Sequence, residues 1–167
     1  GADAVGADVG RRPRSRCESR VPERAIGGGA RFTFDALGRA LGLRDRKRLA
    51  SVVHRESRRH DIAWHLLVAI VETESNFKPG AESTQGALGL MQLRPSTAAE
   101  VAGAVGVPYG GPVELYDIEV NIRLGTAYLH MLRRRFGSLD LALQAYNIGP
   151  TRLSRLTMSR GRAGDAS

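Results

Sequence analysis

The sequence lacks the residues on which several classes of protein depend. Cys17 is its only cysteine, which excludes an internal disulfide and a cysteine metal cluster. The four histidines do not have metal-ligand spacing, and neither a phosphate-binding loop nor a serine-histidine-aspartate motif can be assembled. Runs of eighteen apolar residues are also missing. We therefore expect a protein that uses no metal and no cofactor.

Aromatic residues are scarce as well, at 5% of a chain whose hydrophobic content is an ordinary 42%. This balance favours helices packed through aliphatic and alanine side chains over an aromatic-rich sandwich. Alternating strand patterns of useful length are absent too. With 167 residues the chain has room for one domain with a core and for tails. The sequence predicts an all-α domain.

The net charge of +8 is unevenly distributed. Residues 1–60 contain 15 Lys and Arg against 7 Asp and Glu, whereas residues 61–167 contain 10 of each. We expect residues 1–44 to be an Arg- and Gly-rich extension, residues 45–158 to be the folded domain and residues 159–167 to be a tail. The extension is a candidate contact to anionic wall or membrane components. Specific nucleic-acid binding is disfavoured, because aromatic residues do not alternate with its arginines.

Helical periodicity is clearest in two segments. One apolar stripe runs through Ile118, Ile122, Gly125, Leu129, Leu132 and Phe136, which predicts a long buried helix. Another helix is predicted to start after an Asp61 N-cap and to run through residues 62–75. Its stripe continues to Glu74, whereas Glu72 points to the opposite side with His65. We therefore expect Glu72 at the surface and Glu74 in the interior or in a cleft.

A carboxyl group in that position has a specific chemical use. Proximity to a helix C-terminus and partial burial both disfavour the charged form and raise the pKa. A glutamic acid that stays protonated near neutral pH can act as a general acid. On the stripe alone, the alternative that the helix frays and Glu74 turns outward stays open.

Three separated motifs resemble the soluble lytic transglycosylase family. The first is "ESNFKPGAESTQGALGLMQLRPSTA" at residues 74–98, the second is "NIRLGTAYLHML" from Asn121, and the third is "AYNIGP" from Ala145. The resemblance covers about residues 62–152. It implies a lysozyme-like helical fold and cleavage of the β-1,4 bond between N-acetylmuramic acid and N-acetylglucosamine in peptidoglycan, without water. It also implies glycan strands as the partner, an extracytoplasmic or periplasmic location and a monomer.

The same resemblance implies the residues of the site. Glu74 would protonate the glycosidic oxygen and then, as carboxylate, remove the proton of the muramoyl 6-hydroxyl, which closes a 1,6-anhydro ring. Tyr146 would hydrogen-bond that carboxyl. Glycan-binding roles are implied for Ser75, Gly89, Met91, Gln92 and Asn147.

Each of these residues also has a structural interpretation. Tyr146 could be a core tyrosine whose hydroxyl meets a carbonyl, Met91 could fill the core, and Ser75 and Asn147 could terminate helices. Gly86 and Gly89 would let backbone approach a sugar closely. Asn121 is predicted to be structural, with a buried hydrogen bond to a neighbouring loop.

Three other functions compete with this one. A lysozyme-type muramidase on the same fold would admit water and need a second carboxylate, for which Glu82 is the nearest candidate. A wall-binding module would keep the fold without the chemistry. An anionic-polymer binder would use the N-terminal arginines.

Overall fold

A computed structural model describes residues 41–164, and this part of the chain is helical. Its six α-helices are α1 Leu43–His60, α2 Trp64–Ser75, α3 Pro95–Val105, α4 Ile118–Phe136, α5 Leu139–Ile148 and α6 Pro150–Gly164. A 3₁₀ helix, Pro112–Tyr116, precedes α4. The described residues contain isolated β-bridges but no strand, which confirms the all-α prediction. None of the described helices combines the length and apolar character needed to span a lipid bilayer.

Helix α4 is the centre of the domain. It contacts α1, α3, α5 and the 3₁₀ helix. Asp117 caps its N-terminus by accepting hydrogen bonds from the backbone N–H groups of Glu119 and Val120. The predicted stripe from Ile118 to Leu132 is buried, and Phe136 is partly buried against the core. A helix with buried residues on several sides is stabilised mainly by packing against the neighbouring helices.

Two hydrophobic clusters flank α4. The larger one joins α1, α2, α4 and α5, and the smaller one joins α3 to the other side of α4. Two of the helices around α4 begin at residues suited to that position. Pro95 begins α3, and Ser138 caps α5 by accepting from the backbone N–H of Leu141 at 3.2 Å.

The predicted role of Asp61 is wrong. It does not begin α2 but ends α1, in the left-handed conformation at φ 50°, with its N–H donating to the carbonyl of Ser57. Helix α2 starts later, at Trp64, after an uncapped Ala63. A short polar residue tolerates the left-handed region, so aspartate can serve at either end of a helix.

In α1 the sequence pattern missed a buried charge. Glu56 is fully buried on the same side of the helix as Leu49, Val52 and Val53. Its carboxylate accepts a hydrogen bond from Arg55 at 3.1 Å and lies 3.5 Å from the guanidinium of Arg59.

The described residues include only some of the predicted domain boundaries. Leu41 is already buried in the core, and α1 begins at Leu43. Helix α6 continues to Gly164. The predicted extension up to residue 40 and the last three residues of the predicted tail lie outside the described residues.

Candidate active site

Glu74 is the second-last residue of α2, as the stripe predicted. The helix stops because Asn76 and Phe77 both adopt positive φ, at 49° and 60°. Bulky side chains rarely adopt this conformation, which costs of order 1–3 kcal/mol. Phe77 tolerates it because its ring is fully buried and anchors the chain reversal. Such strain concentrates at functional sites.

The Glu74 carboxyl is half-buried, and burial raises its pKa. Among the described residues it has neither a hydrogen-bond nor an ion-pair partner, so nothing offsets the desolvation of its charged form. The predicted contrast with Glu72 is only partly found. Glu72 is partly buried as well, and it is not the solvated surface residue expected from the helical wheel.

The loop after α2 folds into a tight turn, residues 88–93. Antiparallel bridges join Leu88 to Glu82 and to Leu93. Gly89 adopts φ 75°, and its N–H donates to the carbonyl of Ala81 at 2.8 Å. A Cβ at this position would collide with the carbonyl of Leu115 and with the side chain of Asn121. Close packing inside the protein is therefore sufficient to require a glycine here.

Asn121 attaches this turn to α4. It is fully buried, and its Oδ1 accepts from the N–H of Met91 at 2.7 Å. Its Nδ2 donates to the carbonyls of Leu88 and Leu115 at 3.0 and 2.8 Å. One side chain thus satisfies three buried backbone groups on two loops, and the prediction that Asn121 is structural is confirmed.

The side chain of Met91 is fully buried in the larger cluster. It lies over Gly125 of α4, where a Cβ would overlap its Cβ and Sδ atoms. The structure thus favours the core interpretation of this residue. Its backbone carbonyl faces Tyr146 instead, and accepts a hydrogen bond from the tyrosine hydroxyl at 2.7 Å.

Tyr146 bonds to the turn and is near enough to Glu74 to be influenced by its charge. The tyrosine hydroxyl donates its proton to the Met91 carbonyl and not to the Glu74 carboxyl. This agrees with the interpretation of Tyr146 as a core tyrosine whose hydroxyl bonds a carbonyl. Burial, with contributions from the charge of Glu74 and from Tyr128, raises the pKa of Tyr146 well above its usual value. The ring of Tyr128 lies 5.3 Å from that of Tyr146, centroid to centroid. Tyr146 thus stays neutral beside Glu74.

The three remaining predicted residues differ in what they offer a ligand. Ser75 is buried and donates to the carbonyl of Val71 at 2.9 Å, which is a bond within its own helix. Gln92 is partly exposed, and its amide N–H₂ donates to the carbonyls of Gly89 and Ala81. The side chain of Asn147 is exposed on α5 and makes no hydrogen bond within the described region. Gln92 and Asn147 therefore have polar atoms that a ligand can reach.

Glu82, the candidate second carboxylate, is exposed and accepts a hydrogen bond from the hydroxyl of Tyr116 at 3.3 Å. The sequence did not reveal this pair, because its members are distant in the chain and belong to no common motif. Within residues 41–164, acidic and histidine side chains nowhere form a group that could hold a metal ion.

Comparison with known proteins assigns this arrangement to a family. Residues 51–166 match the family model described as Transglycosylase SLT domain. The chain is 40% identical over 101 residues to the soluble lytic murein transglycosylase of Salmonella typhimurium, a stretch that covers 59% of this chain and 16% of that protein. It is 36% identical over 109 residues to the membrane-bound lytic murein transglycosylase F of Desulfosudis oleivorans, covering 61% and 22%. The chain thus spans less than a quarter of the length of these relatives.

Solved structures give the same result. The lytic transglycosylase Slt of Pseudomonas aeruginosa, solved as an inactive glutamate-to-glutamine mutant, matches with a TM-score of 0.60 and 38% identity, over 63% of this chain and 17% of that one. The 70 kDa soluble lytic transglycosylase of Escherichia coli matches with a TM-score of 0.61 and 34% identity, over 64% and 18%. The latter has also been solved in complex with bulgecin A.

Proposed function

The chain belongs to the Transglycosylase SLT domain family, and from this premise we propose that it is a lytic transglycosylase acting on peptidoglycan. The bond cleaved is the β-1,4 linkage between N-acetylmuramic acid and N-acetylglucosamine. The observation that carries the proposal is the half-buried Glu74, whose pKa is raised by burial and whose carboxyl has no partner among the described residues. A raised pKa favours the protonated form that a general acid needs.

The proposed reaction uses this one carboxyl twice. Glu74 gives its proton to the glycosidic oxygen as the bond from that oxygen to C1 of the muramoyl residue breaks. The 6-hydroxyl oxygen of the same residue then bonds to C1, and its proton passes to the Glu74 carboxylate. The carboxyl regains the proton that it lost, and water is not consumed. A single acidic residue is thus sufficient, whereas hydrolysis uses a second carboxylate in most glycosidases.

Tyr146 is proposed as the residue that positions Glu74. Because its proton is donated to Met91, the phenol oxygen has only lone pairs to offer the carboxyl. A lone pair stabilises the protonated acid and not the carboxylate. Replacement of Tyr146 by phenylalanine should therefore move the limb of the pH profile that reports Glu74 ionisation to lower pH. An unmoved limb would contradict this role.

Substrate contacts are proposed for Gln92 and Asn147, whose polar atoms reach the surface beside the turn and on α5. Ser75, Gly89 and Met91 are proposed to act indirectly, because their contacts lie within the protein and fix the shape of the turn and the end of α2. The Oε1 atom of Gln92 and the amide of Asn147 can bond sugar hydroxyl and acetamido groups.

An extracytoplasmic location is proposed because the substrate lies there, and because the relatives are named as soluble or membrane-bound murein transglycosylases. The Arg-rich extension is proposed to hold the protein near anionic wall components. Deletion of residues 1–30 should then remove salt-sensitive binding to sacculi and leave activity on soluble glycan fragments unchanged. Salt-sensitive binding that survives the deletion would refute this role.

The test of the function is mass analysis of muropeptides released from purified sacculi. The wild-type chain should release anhydro-muropeptides, and Glu74→Gln should lower the rate by about a thousandfold, within the range for loss of a general acid. The matched variant is Glu72→Gln, two residues away on the same helix, which should keep most of the activity.

Two results would contradict the proposal. Products heavier by one water would assign the chain to the hydrolytic muramidases. Equal losses from the two glutamine variants would show that Glu74 has no special role.

A further inference from the structure

A pocket of about 400 Å³ lies on the face of α4 that points away from the Gly89–Gln92 turn. It is lined by Arg59, His60, Val105, Val107, Arg123 and Ala127. Arg123 and Ala127 each stand two residues from Gly125, which contacts the turn, and a separation of two residues places them about 200° around the helix. The pocket therefore lies between the C-terminal ends of α1 and α3, remote from Glu74.

Arg123 has unused hydrogen-bonding capacity. Its Nε is shielded from solvent and has no hydrogen-bond partner among residues 41–164, and its guanidinium forms no ion pair there. A buried N–H without an acceptor costs about 1–3 kcal/mol, and more when the group is charged. An anion that enters the pocket would remove this cost.

The other two basic residues, Arg59 and His60, belong to the last turn of α1. They are not needed to cap that helix, because the guanidinium of Arg133 donates to the carbonyls of His60 and Asp61 at 2.8 and 2.6 Å. The acid in contact with them is Glu56, which is fully buried and is shared with Arg55. The positive charge at the pocket therefore comes from Arg59 and Arg123, because burial and the neighbouring His130 lower the pKa of His60 and favour its neutral form.

From this arrangement we infer that the pocket is a binding site for an oxyanion, held by the guanidinium groups of Arg123 and Arg59 with His60 beside them. A planar guanidinium matches both carboxylate and phosphate through two parallel hydrogen bonds. Val105, Val107 and Ala127 form an apolar wall next to the charged groups. The ligand class is therefore a phosphate or carboxylate head group with a short apolar portion.

The experiment is a heteronuclear NMR titration of the full 167-residue chain with inorganic phosphate and, separately, with acetate. Sodium chloride keeps the ionic strength constant. The Nε–H signal of Arg123, assigned by its loss in Arg123→Lys, should shift and saturate. The amide signals of Val105 and Val107 should follow the same curve.

Matched variants test whether the effect is local. Arg123→Gln should weaken the affinity, read from the valine amides, about tenfold or more, the effect of one charge-assisted hydrogen bond. Arg152→Gln removes the same charge from an exposed position on α6 and should leave the affinity unchanged. Glu74→Gln should also bind normally, which separates this site from the proposed function.

Saturation by phosphate or by acetate supports the site and identifies the head group. Shifts that rise without saturation for both anions would overturn the proposal. Equal weakening by Arg123→Gln and Arg152→Gln would overturn it too, because binding would then follow net charge.

Discussion

The two sides of α4 differ in how their polar groups are used. Toward the turn, Asn121 satisfies three buried backbone groups, and Gly125 lets the Met91 side chain lie directly on the helix. On the other side, Arg123 has no acceptor among the described residues, and neither has the buried hydroxyl of Thr126. The same helix is a rigid support for one site and leaves hydrogen-bonding capacity unused at another.

This contrast indicates how the domain separates two tasks. A reaction that moves one proton needs its carboxyl and hydroxyl held in place, and fully satisfied polar networks provide that rigidity. A site that binds an exchangeable anion has the opposite requirement, because its donors must be free before the ligand arrives. Changes on the two sides of α4 should therefore have opposite effects on stability.

The largest expected effect is that of Asn121→Leu. The substitution removes the partner of the Met91 N–H and of the Leu115 carbonyl, at about 1–3 kcal/mol for each buried group, whereas the Leu88 carbonyl keeps its bond from the Leu93 N–H at 3.0 Å. We expect the free energy of unfolding to fall by about 3 kcal/mol or more, measured by urea denaturation. Lysis of sacculi should fall too, because the turn that bears the acceptor of Tyr146 is released.

Thr126→Val is the matched change on the same helix. Both side chains are fully buried, but the threonine hydroxyl has no partner among the described residues. Valine has nearly the same shape and removes an unsatisfied polar atom, so we expect a stabilisation of about 1 kcal/mol. A loss of stability in Thr126→Val as large as that in Asn121→Leu would remove the contrast between the two sides.

Much of the fold was predictable, because helical periodicity reports directly which side of a helix is buried. The stripe of α4 followed from this reasoning. It failed at Asp61, where residue type was given more weight than context, and it did not reveal the buried Glu56. Aspartate suits either helix end, and a glutamate on an apolar stripe can be fully buried where arginines pair with it, as Arg55 and Arg59 do with Glu56.

The candidate site was predictable to a smaller extent. The stripe brought Glu74 to the interior side of α2, and the family resemblance supplied Tyr146. What the sequence missed depends on long-range packing: Gly89 and Met91 contact α4 through partners more than twenty residues away. The direction of the Tyr146 hydrogen bond is a further example. The Met91 carbonyl and the Glu74 carboxyl are both possible acceptors, and only their positions in the folded domain determine which one receives the proton.

A smaller effect is expected from Tyr146→Phe. The change removes the 2.7 Å hydrogen bond to the Met91 carbonyl and should cost about 1 kcal/mol of unfolding free energy. Tyr128→Phe is the control, because the hydroxyl of that neighbouring ring makes no hydrogen bond within residues 41–164, and its loss should be close to neutral. Thermal unfolding of the two variants checks the difference. Similar costs for both would indicate that the Met91 bond contributes nothing measurable.

The smallest expected effect is a stability gain in the variant expected to be inactive, Glu74→Gln. Burial raises the pKa of Glu74 in the folded state above its value in the unfolded chain. At a pH below the unfolded value both states are protonated, and the carboxyl imposes no penalty. As the pH rises, the unfolded state ionises first and is favoured, until the penalty is complete above the folded pKa. Glutamine stays neutral, so its Tm advantage should be smallest in acid and grow with rising pH until the pH exceeds the folded pKa of Glu74. A Tm difference that does not change with pH would show that the carboxyl is as well solvated in the folded domain as in the unfolded chain.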